Sequence, residues 1–218
     1  MEKKPYMEKL EKPCYNNCFW LFMIGCILGV LIEGSFCELE KSGWESHVVS
    51  VYGPFNALYG AGFVIFYIGN YLLRKRNVFV RAFILTIVAT VLELICGLML
   101  REFLGMRAWN YTKCYLNYKG LICPKYSMYW LAASFGFSIV FLYISVFLRV
   151  FDNRKWHIAC VLLSVFMCFD FALTGIAMVR WSERHYGSRK SSGFIKMIDR
   201  EFPDDWMKER FMEWRFLE

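Results

Sequence analysis

The stretch VFVRAFILTIVATVLELICGLML, residues 78–100, decides the fold of this chain. It carries only Arg81 and Glu93 as charges, and at about 1.5 Å per residue a helix of this length crosses a hydrocarbon core roughly 30 Å thick. An isolated segment in lipid must be helical, because only a helix satisfies its own backbone N–H and C=O groups. Stretches of similar length and composition predict about five spans, at residues 19–37, 53–73, 78–100, 127–151 and 157–179.

The composition also favours a membrane protein. The chain is 57% hydrophobic with a mean hydropathy of +0.34, whereas a soluble domain is roughly 45 to 50% apolar. Its net charge of +7 comes from Lys and Arg between and after the apolar blocks, and no nucleic-acid-binding motif occurs, so nucleic acid is not a predicted partner. We predict an all-α, polytopic transmembrane helical bundle in the cell membrane.

The predicted domain organisation has three parts. An N-terminal segment covers residues 1–18, the transmembrane domain covers residues 19–180, and a tail covers residues 181–218. The tail alternates aromatic and charged residues, which predicts one or two amphipathic helices broken at Pro203. Such helices either lie on the membrane surface or pack against the bundle.

Basic residues in the short loops predict the orientation of the bundle. The turns at residues 74–81 and 149–155 are rich in Lys and Arg and should be cytoplasmic, whereas the acidic loop at residues 38–52 suits the exterior. Five spans then place the N-terminus inside and the C-terminus outside. The Lys and Arg residues of the tail favour the opposite side for the C-terminus, but the acids of the tail nearly balance them.

Ionisable residues inside the apolar blocks are the first candidates for function. Glu33, Glu93 and Asp170 qualify, because a charge at mid-bilayer costs at least about 2.5 to 3.5 kcal/mol unless it has a partner or a water-filled cavity. Arg101 lies two turns after Glu93 on the same helix face. These residues either converge on a polar cavity or form buried salt bridges and protonated carboxyls that hold helices together.

Two further stretches mark contacts and interfaces. Gly25 and Gly29 form a small-xxx-small pattern, which permits close helix packing. The stretch YGPFNALYGAG, residues 52–62, predicts a distorted helix start with a polar, uncrowded face around Asn56. Residues 101–130 are too polar to span yet rich in Trp and Tyr, as in an interfacial belt or a re-entrant segment.

The cysteines and histidines indicate no catalytic or metal centre. The loop cysteines lack the paired spacing of a structural zinc site, although Cys114 and Cys123 could form a disulfide at an oxidising exterior. His47, His157 and His185 lie at membrane borders, far apart in sequence, and no Walker A phosphate loop occurs. We therefore predict no cofactor, no metal and no catalytic residue.

Several segments resemble the CmpB-like family of bacterial membrane proteins, whose description is "putative ABC-transporter type IV permease". The matching residues are Gly53, Pro54, Leu58, Tyr59, Gly60 and Gly62, then Glu93, then Trp109, Tyr111, Asn117, Gly120, Ile122, Cys123 and Ser127. The chain departs from the family pattern at Ala57, Asn110 and Thr112, and it lacks an Arg-Gly pair near Val48 and Val49.

This resemblance implies a transporter or permease-like component with a polar intramembrane site and a separate ATPase subunit. The predicted substrate-binding residues are Glu33, Asn56, Tyr59, Glu93, Arg101, Trp109, Asn110, Tyr111, Asn117 and Asp170. The expected partners are membrane lipid and either further copies of the chain or a separate ATPase subunit. Two alternatives stay open: a membrane-embedded enzyme acting on a lipid or lipid-linked substrate, and a non-catalytic scaffold or sensor.

Overall fold

The computed structural model describes residues 10–41, 46–187 and 192–218, and most of these residues are helical. The helices are α1 (Tyr15–Lys41), α2 (Ala57–Leu72), α3 (Val78–Leu104), α4 (Pro124–Phe147), α5 (Arg154–His185), α6 (Gly193–Glu201) and α7 (Asp204–Arg210). A 3-10 turn, Leu148–Phe151, follows α4. Two short strands, β1 (Met106–Arg107) and β2 (Arg215–Phe216), pair antiparallel. The prediction of an all-α membrane bundle is confirmed.

Four helices in the described part of the chain, α1, α3, α4 and α5, are long and apolar enough to cross a membrane. Helix α2 is apolar but has only 16 residues, fewer than the about 20 that a span requires. It is shorter than the predicted stretch 53–73 because its helix begins only after Asn56, which caps it. Gly53 precedes the cap with a left-handed φ of 67°.

Local signals in the sequence set where these helices begin and end. The side-chain oxygens of Asn56, Asn77 and Asn153 accept hydrogen bonds from backbone N–H groups in the first turns of α2, α3 and α5. Those N–H groups have no acceptor within the helix, so the caps satisfy them. Helix α3 ends at Gly105, whose φ of 59° is the left-handed conformation that glycine adopts without steric cost.

Small residues let α1 and α2 approach closely, as the Gly25 and Gly29 pattern predicted. A Cβ atom added to Gly29 would lie 2.4 Å from the Cβ atom of Tyr59, and one added to Gly25 would lie 2.9 Å from that of Phe63. On the other side of the contact, a Cβ atom on Gly60 would lie 2.5 Å from Cys26 Sγ. Glycine at these positions is therefore needed for the packing of this helix pair.

The tail packs against one end of the bundle. The buried side chains of this second hydrophobic cluster are Val51, Met106, Ala108, Ala177, Met178, Trp181, Ile198, Phe202, Met207, Phe211 and Trp214. Pairing of β1 with β2 and a hydrogen bond from Leu217 N–H to the Gly105 carbonyl fasten the end of the chain to the loop after α3. The tail was predicted either to lie on the membrane surface or to pack against the bundle, and in the structure it packs against the bundle. Pro203 separates α6 from α7.

Charged groups hold the tail in place. Arg180 and Arg184 at the end of α5 both bind the Asp199 carboxylate of α6, with N···O distances of 2.8 and 2.6 Å. Arg210 of α7 donates hydrogen bonds to the carbonyls of Ser50 and Gly53. The tail therefore lies at the same end of the bundle as residues 46–56.

The opposite end of the bundle carries the basic turns, with one exception. Arg81 is buried within the helices, where its Nη1 donates to Asn70 Oδ1 at 2.9 Å and its Nη2 to the Ser138 carbonyl. It lies in the first turn of α3 and faces α2 and α4. Arg81 therefore does not belong to the exposed basic turn that its sequence position predicts.

Candidate functional site

A cavity of about 830 Å³ lies among the first four helices. Its walls come from α1, α2, α3 and α4, while Trp109 and Tyr111 of the loop after α3 and Trp214 of the tail close one end. Six of the ten predicted substrate-binding residues contribute to its lining: Glu33, Asn56, Tyr59, Glu93, Trp109 and Tyr111. Residues from separate regions of the sequence are thus brought to one site.

Glu93 presents its carboxylate to this cavity from the middle of α3. The Tyr111 hydroxyl donates to Glu93 Oε1 at 2.9 Å, and the Trp130 indole N–H donates to Glu93 Oε2 at 3.0 Å. Glu93 is only 4% exposed. Both oxygens of a buried carboxylate therefore have donors, and the side chain is fixed in one orientation.

The loop after α3 positions Tyr111 over Glu93. The Tyr111 ring stacks on Tyr126 of α4, with 4.0 Å between ring centroids. Burial and the neighbouring Glu93 carboxylate raise the pKa of Tyr111 well above its ordinary value. The phenol therefore stays protonated at neutral pH and remains a hydrogen-bond donor.

Local hydrogen bonds explain the shape of that loop. Gly120 adopts a φ of 68°, and a Cβ atom at this position would lie 2.7 Å from the Thr112 side chain. Asn117 accepts from the Gly120 N–H and donates to the carbonyls of Thr112 and Cys114. The loop is thus a compact turn rather than a span, and it holds Trp109 and Tyr111 at the cavity.

A second polar group lies at the cavity, around His47. His47 Nδ1 is 2.5 Å from Glu213 Oε2 and 3.8 Å from Glu33 Oε1, while its Nε2 is 3.1 Å from Cys37 Sγ. The Asn56 side-chain amide donates to the His47 carbonyl at 2.9 Å and to Glu33 Oε2 at 3.4 Å. Glu33 and Glu213 both line the cavity.

The remaining lining is mainly apolar and aromatic. Phe63 and Phe66 of α2 face Trp130 and Phe137 of α4, with edge-to-face contacts between Phe66 and both partners. Met99, Tyr129 and Val140 line the cavity and are also exposed, so the cavity opens onto the outer surface of the helices. Such a site can hold a molecule with an apolar body and a polar end.

Four predicted site residues lie outside the cavity lining. Asn110 is exposed and accepts a hydrogen bond from the Thr112 N–H, and Asn117 organises the loop as described above. Arg101 is partly buried in the last turn of α3. Glu93 lines the cavity whereas Arg101 and Asp170 do not, so these three residues do not share it.

Asp170 has a different environment from Glu93. It is fully buried in α5, and its Oδ1 accepts the Tyr52 N–H at 3.0 Å. One turn further along, the Thr174 hydroxyl accepts the Val51 N–H at 2.9 Å. Asp170 thus attaches residues 50–53 to α5.

Sequence reasoning missed Trp130, His47 and Glu213. Trp130 lies almost two helical turns into α4 and looked like an interfacial anchor, and His47 looked like an isolated border residue. Glu213 is separated from His47 by 166 positions. A buried acid such as Glu93 signals that donors must exist nearby, but only the three-dimensional contacts identify them.

All nine cysteines are free thiols in the structure, so Cys114 and Cys123 are not joined there. Four of the nine are buried, namely Cys26, Cys37, Cys123 and Cys160. Cys37 differs from the others because its sulfur contacts the imidazole of His47.

The fold and the cavity define a helical membrane protein with an acid-bearing site between its helices. Residues 20–175 match the family model described as "Putative ABC-transporter type IV", which is the CmpB-like family, and the chain belongs to that family. No solved structure matches the chain. The six predicted residues that line the cavity lie within the matched region, whereas Glu213 and Trp214 lie beyond it.

Proposed function

We propose that this chain is a multi-pass, permease-like component of the cell membrane that binds an amphipathic, positively charged solute in its cavity. The observation that carries this proposal is the Glu93 carboxylate held within an aromatic cavity. Aromatic faces attract cations, and a fixed carboxylate provides a counter-charge. A hydrophobic cation satisfies both parts of the lining.

The charge of the lining supports a cation over an anion. Glu33, Glu93 and Glu213 all contribute to it, and among the described residues that line it there is no Lys or Arg. The opening onto the outer surface of the helices lets a solute reach the cavity from the lipid. An anionic headgroup would meet like charges there.

The family description supports a role in a transport system with a separate ATPase. The sequence contains no Walker A phosphate loop, so a nucleotide-hydrolysing subunit would be another chain. The exposed basic turns at residues 74–76 and 149–155 would face the cytoplasm and offer a surface for that subunit. We also expect a homo-oligomer, and a monomer seen by native mass spectrometry in lipid would contradict that part of the proposal.

The lipid-modifying enzyme is the weaker alternative. It requires Arg101 to hold an anionic headgroup near Glu93 or Asp170, but neither Arg101 nor Asp170 lines the cavity. The scaffold alternative does not explain why a buried carboxylate is provided with two aromatic donors at an open cavity. Transport therefore fits the geometry best.

Tetraphenylphosphonium, a hydrophobic cation, is a suitable probe. Trp109, Trp130 and Trp214 line the cavity, so binding to the protein in lipid nanodiscs should quench tryptophan fluorescence. Two opposite unit charges about 8 Å apart attract by about 2 kcal/mol at an effective dielectric constant near 20, so Glu93→Gln should weaken binding by roughly tenfold or more. Glu102→Gln on the exposed face of α3 is the matched control and should bind as the unchanged protein does.

Two results would contradict the proposed solute class. One is equal affinity of the E93Q and E102Q variants for the cation. The other is tighter binding of tetraphenylborate, which has the same shape and the opposite charge.

A further inference from the structure

Two carboxylates and an imidazole converge at the edge of the cavity. Glu33 comes from α1, His47 from the segment before α2, and Glu213 from the tail, and one ligand atom from each lies within 4.8 Å of the others. His47 is 5% exposed, and the side chains of Glu33 and Glu213 are 33% and 15% exposed. This is a mixed nitrogen and oxygen ligand set rather than a patch of surface acids.

Ionisation of both carboxylates would leave an unbalanced negative charge at this point. Among the described residues, the only ion-pair partner of either Glu33 or Glu213 is His47. One imidazole carries at most a single positive charge, whereas two ionised carboxylates carry two negative ones. A divalent cation would neutralise this excess where water is partly excluded.

Neighbouring groups already orient two of the three side chains. Cys37 Sγ lies 3.1 Å from His47 Nε2, where it can accept a hydrogen bond from the N–H that a neutral imidazole keeps at Nε2 when its Nδ1 binds a metal. The Asn56 amide is 3.4 Å from Glu33 Oε2, on the oxygen that does not face the imidazole. Outer partners of this kind are typical of metal sites, because they fix the tautomer and the direction of the ligands.

We propose that Glu33, His47 and Glu213 bind a divalent transition-metal ion of the zinc class. Imidazole nitrogen with carboxylate oxygen suits zinc and its neighbours, whereas calcium and magnesium prefer oxygen ligands alone. Three protein ligands leave a fourth position for water or a solute. Since Glu33 and Glu213 line the cavity, that position would face it.

The distances require only a small adjustment. Two ligand atoms on one tetrahedral zinc ion lie roughly 3.3 Å apart, given bonds of about 2.0 to 2.1 Å. The Nδ1 separations of 2.5 Å from Glu213 and 3.8 Å from Glu33 fall on either side of that value. Side-chain rotations that move each oxygen by less than about 1 Å would therefore bring both carboxylates to tetrahedral spacing from His47 Nδ1.

Zinc titration of the full chain tests the inference. The protein is purified in detergent, stripped with a chelator and titrated calorimetrically, with Cys14 and Cys18 replaced by Ser to remove thiols near the N-terminus. One zinc ion per chain is expected, with affinity at least about tenfold lower for His47→Gln, Glu33→Gln and Glu213→Gln. His157→Gln and Glu209→Gln, at exposed positions, are the matched controls and should leave affinity unchanged.

X-ray absorption of the zinc-loaded protein keeps the inference testable if a variant fails to fold. Nitrogen and oxygen scatterers without sulfur are expected in the first shell. A sulfur shell, absence of zinc binding, or unchanged affinity in the folded H47Q and E213Q variants would overturn the inference. The site does not depend on the proposed transport role: zinc binding without binding of tetraphenylphosphonium would support it and contradict the proposed solute class.

Discussion

At Glu93, two aromatic donors replace the basic partner that a carboxylate in an apolar helix usually has. Tyr111 and Trp130 come from the loop after α3 and from α4, so the carboxylate also joins these elements. Because Tyr111 and Trp130 both donate to the Glu93 carboxylate, these two hydrogen bonds restrict the positions of the loop and of α4 relative to α3. The geometry of the cavity therefore depends on single hydrogen bonds.

Replacing Tyr111 with Phe tests this dependence. The substitution keeps the ring that stacks on Tyr126 but leaves Glu93 Oε1 without its tyrosine donor. An unsatisfied buried acceptor costs about 1 to 3 kcal/mol, so thermal unfolding in detergent should occur at a lower temperature. Tyr115→Phe is the control, because Tyr115 is 84% exposed. Equal unfolding temperatures for the two variants would contradict the proposed role.

Gly29 provides a second test at the level of one residue. An alanine Cβ there would lie 2.4 Å from the Tyr59 Cβ, so α1 and α2 must move apart. Overpacking of this kind costs about 1 to 3 kcal/mol. Gly136→Ala is the control, since an added Cβ in α4 meets nothing within 4 Å. Thermal unfolding should separate the two variants, and a G29A protein as stable as G136A would show that the helices tolerate a side chain.

The sequence predicted which residues in the apolar helices are important better than it predicted the residues that contact them. Glu93 and the Gly25 and Gly29 pattern are visible locally, because a charge or a run of small residues stands out in an apolar block. The donors Tyr111 and Trp130 lie 18 and 37 positions from Glu93. Their contact depends on how the loop folds back, which no helical periodicity encodes.

Among the structural elements, α6 is attached to the end of α5 by ionic contacts around Asp199. Arg180 and Arg184 hold the Asp199 carboxylate, and Arg184 also binds Asp204 at 2.7 Å. The hydrogen bonds from Arg180, followed by those from Arg184, lower the pKa of Asp199 below its ordinary value of 3.8. The ionised form is therefore the one that the docked tail stabilises.

This shift predicts how tail docking depends on pH. Because the pKa is lower in the folded state, the stabilisation is fully present above about pH 3.8 and is lost as the pH falls through the folded value. Hydrogen exchange of the α6 amides, corrected for intrinsic rates, should lose protection in that range. In the Asp199→Asn variant the α6 amides should be less protected at every pH, and their protection should not fall further as the pH decreases. The Asp205→Asn variant, whose replaced side chain is 95% exposed, should behave as the unchanged protein does. An identical pH profile for D199N would contradict the assignment.

The tail shows the limits of amphipathic patterning at the level of elements. The alternation of aromatic and charged residues correctly predicted short helices divided at Pro203. It could not choose between a lipid surface and a protein surface, since both accept the same apolar face. Trp181 and Met106, which cover that face, belong to other elements.

For the whole molecule, the arrangement of the two ends makes a prediction about orientation. The tail lies at the end that holds residues 46–56, opposite the basic turns. If those turns are cytoplasmic, the tail is outside. A membrane-impermeant maleimide should then label Ser192→Cys in intact cells and Lys75→Cys only after disruption, with Cys14 and Cys114 replaced by Ser. The reverse labelling pattern would invert the proposed orientation.

The overall architecture was the easier part to predict. Long apolar blocks leave helices as the only choice in lipid, so the bundle follows from composition and segment length. The shortness of α2 did not follow, because the predicted span 53–73 included the distorted start at residues 53–56. Gly53 and the Asn56 cap delay the helix there, and their effect depends on backbone geometry rather than hydropathy.

Docking of the tail and occupation of the cavity must be thermodynamically linked. Trp214 and Glu213 form part of the lining although they lie on the tail. A solute that contacts them binds the docked form more tightly, and by reciprocity its binding favours docking by the same factor. Any partner that displaces the tail from Arg180 and Arg184 would therefore lower solute affinity from a distance, which makes this end of the bundle a natural point of control.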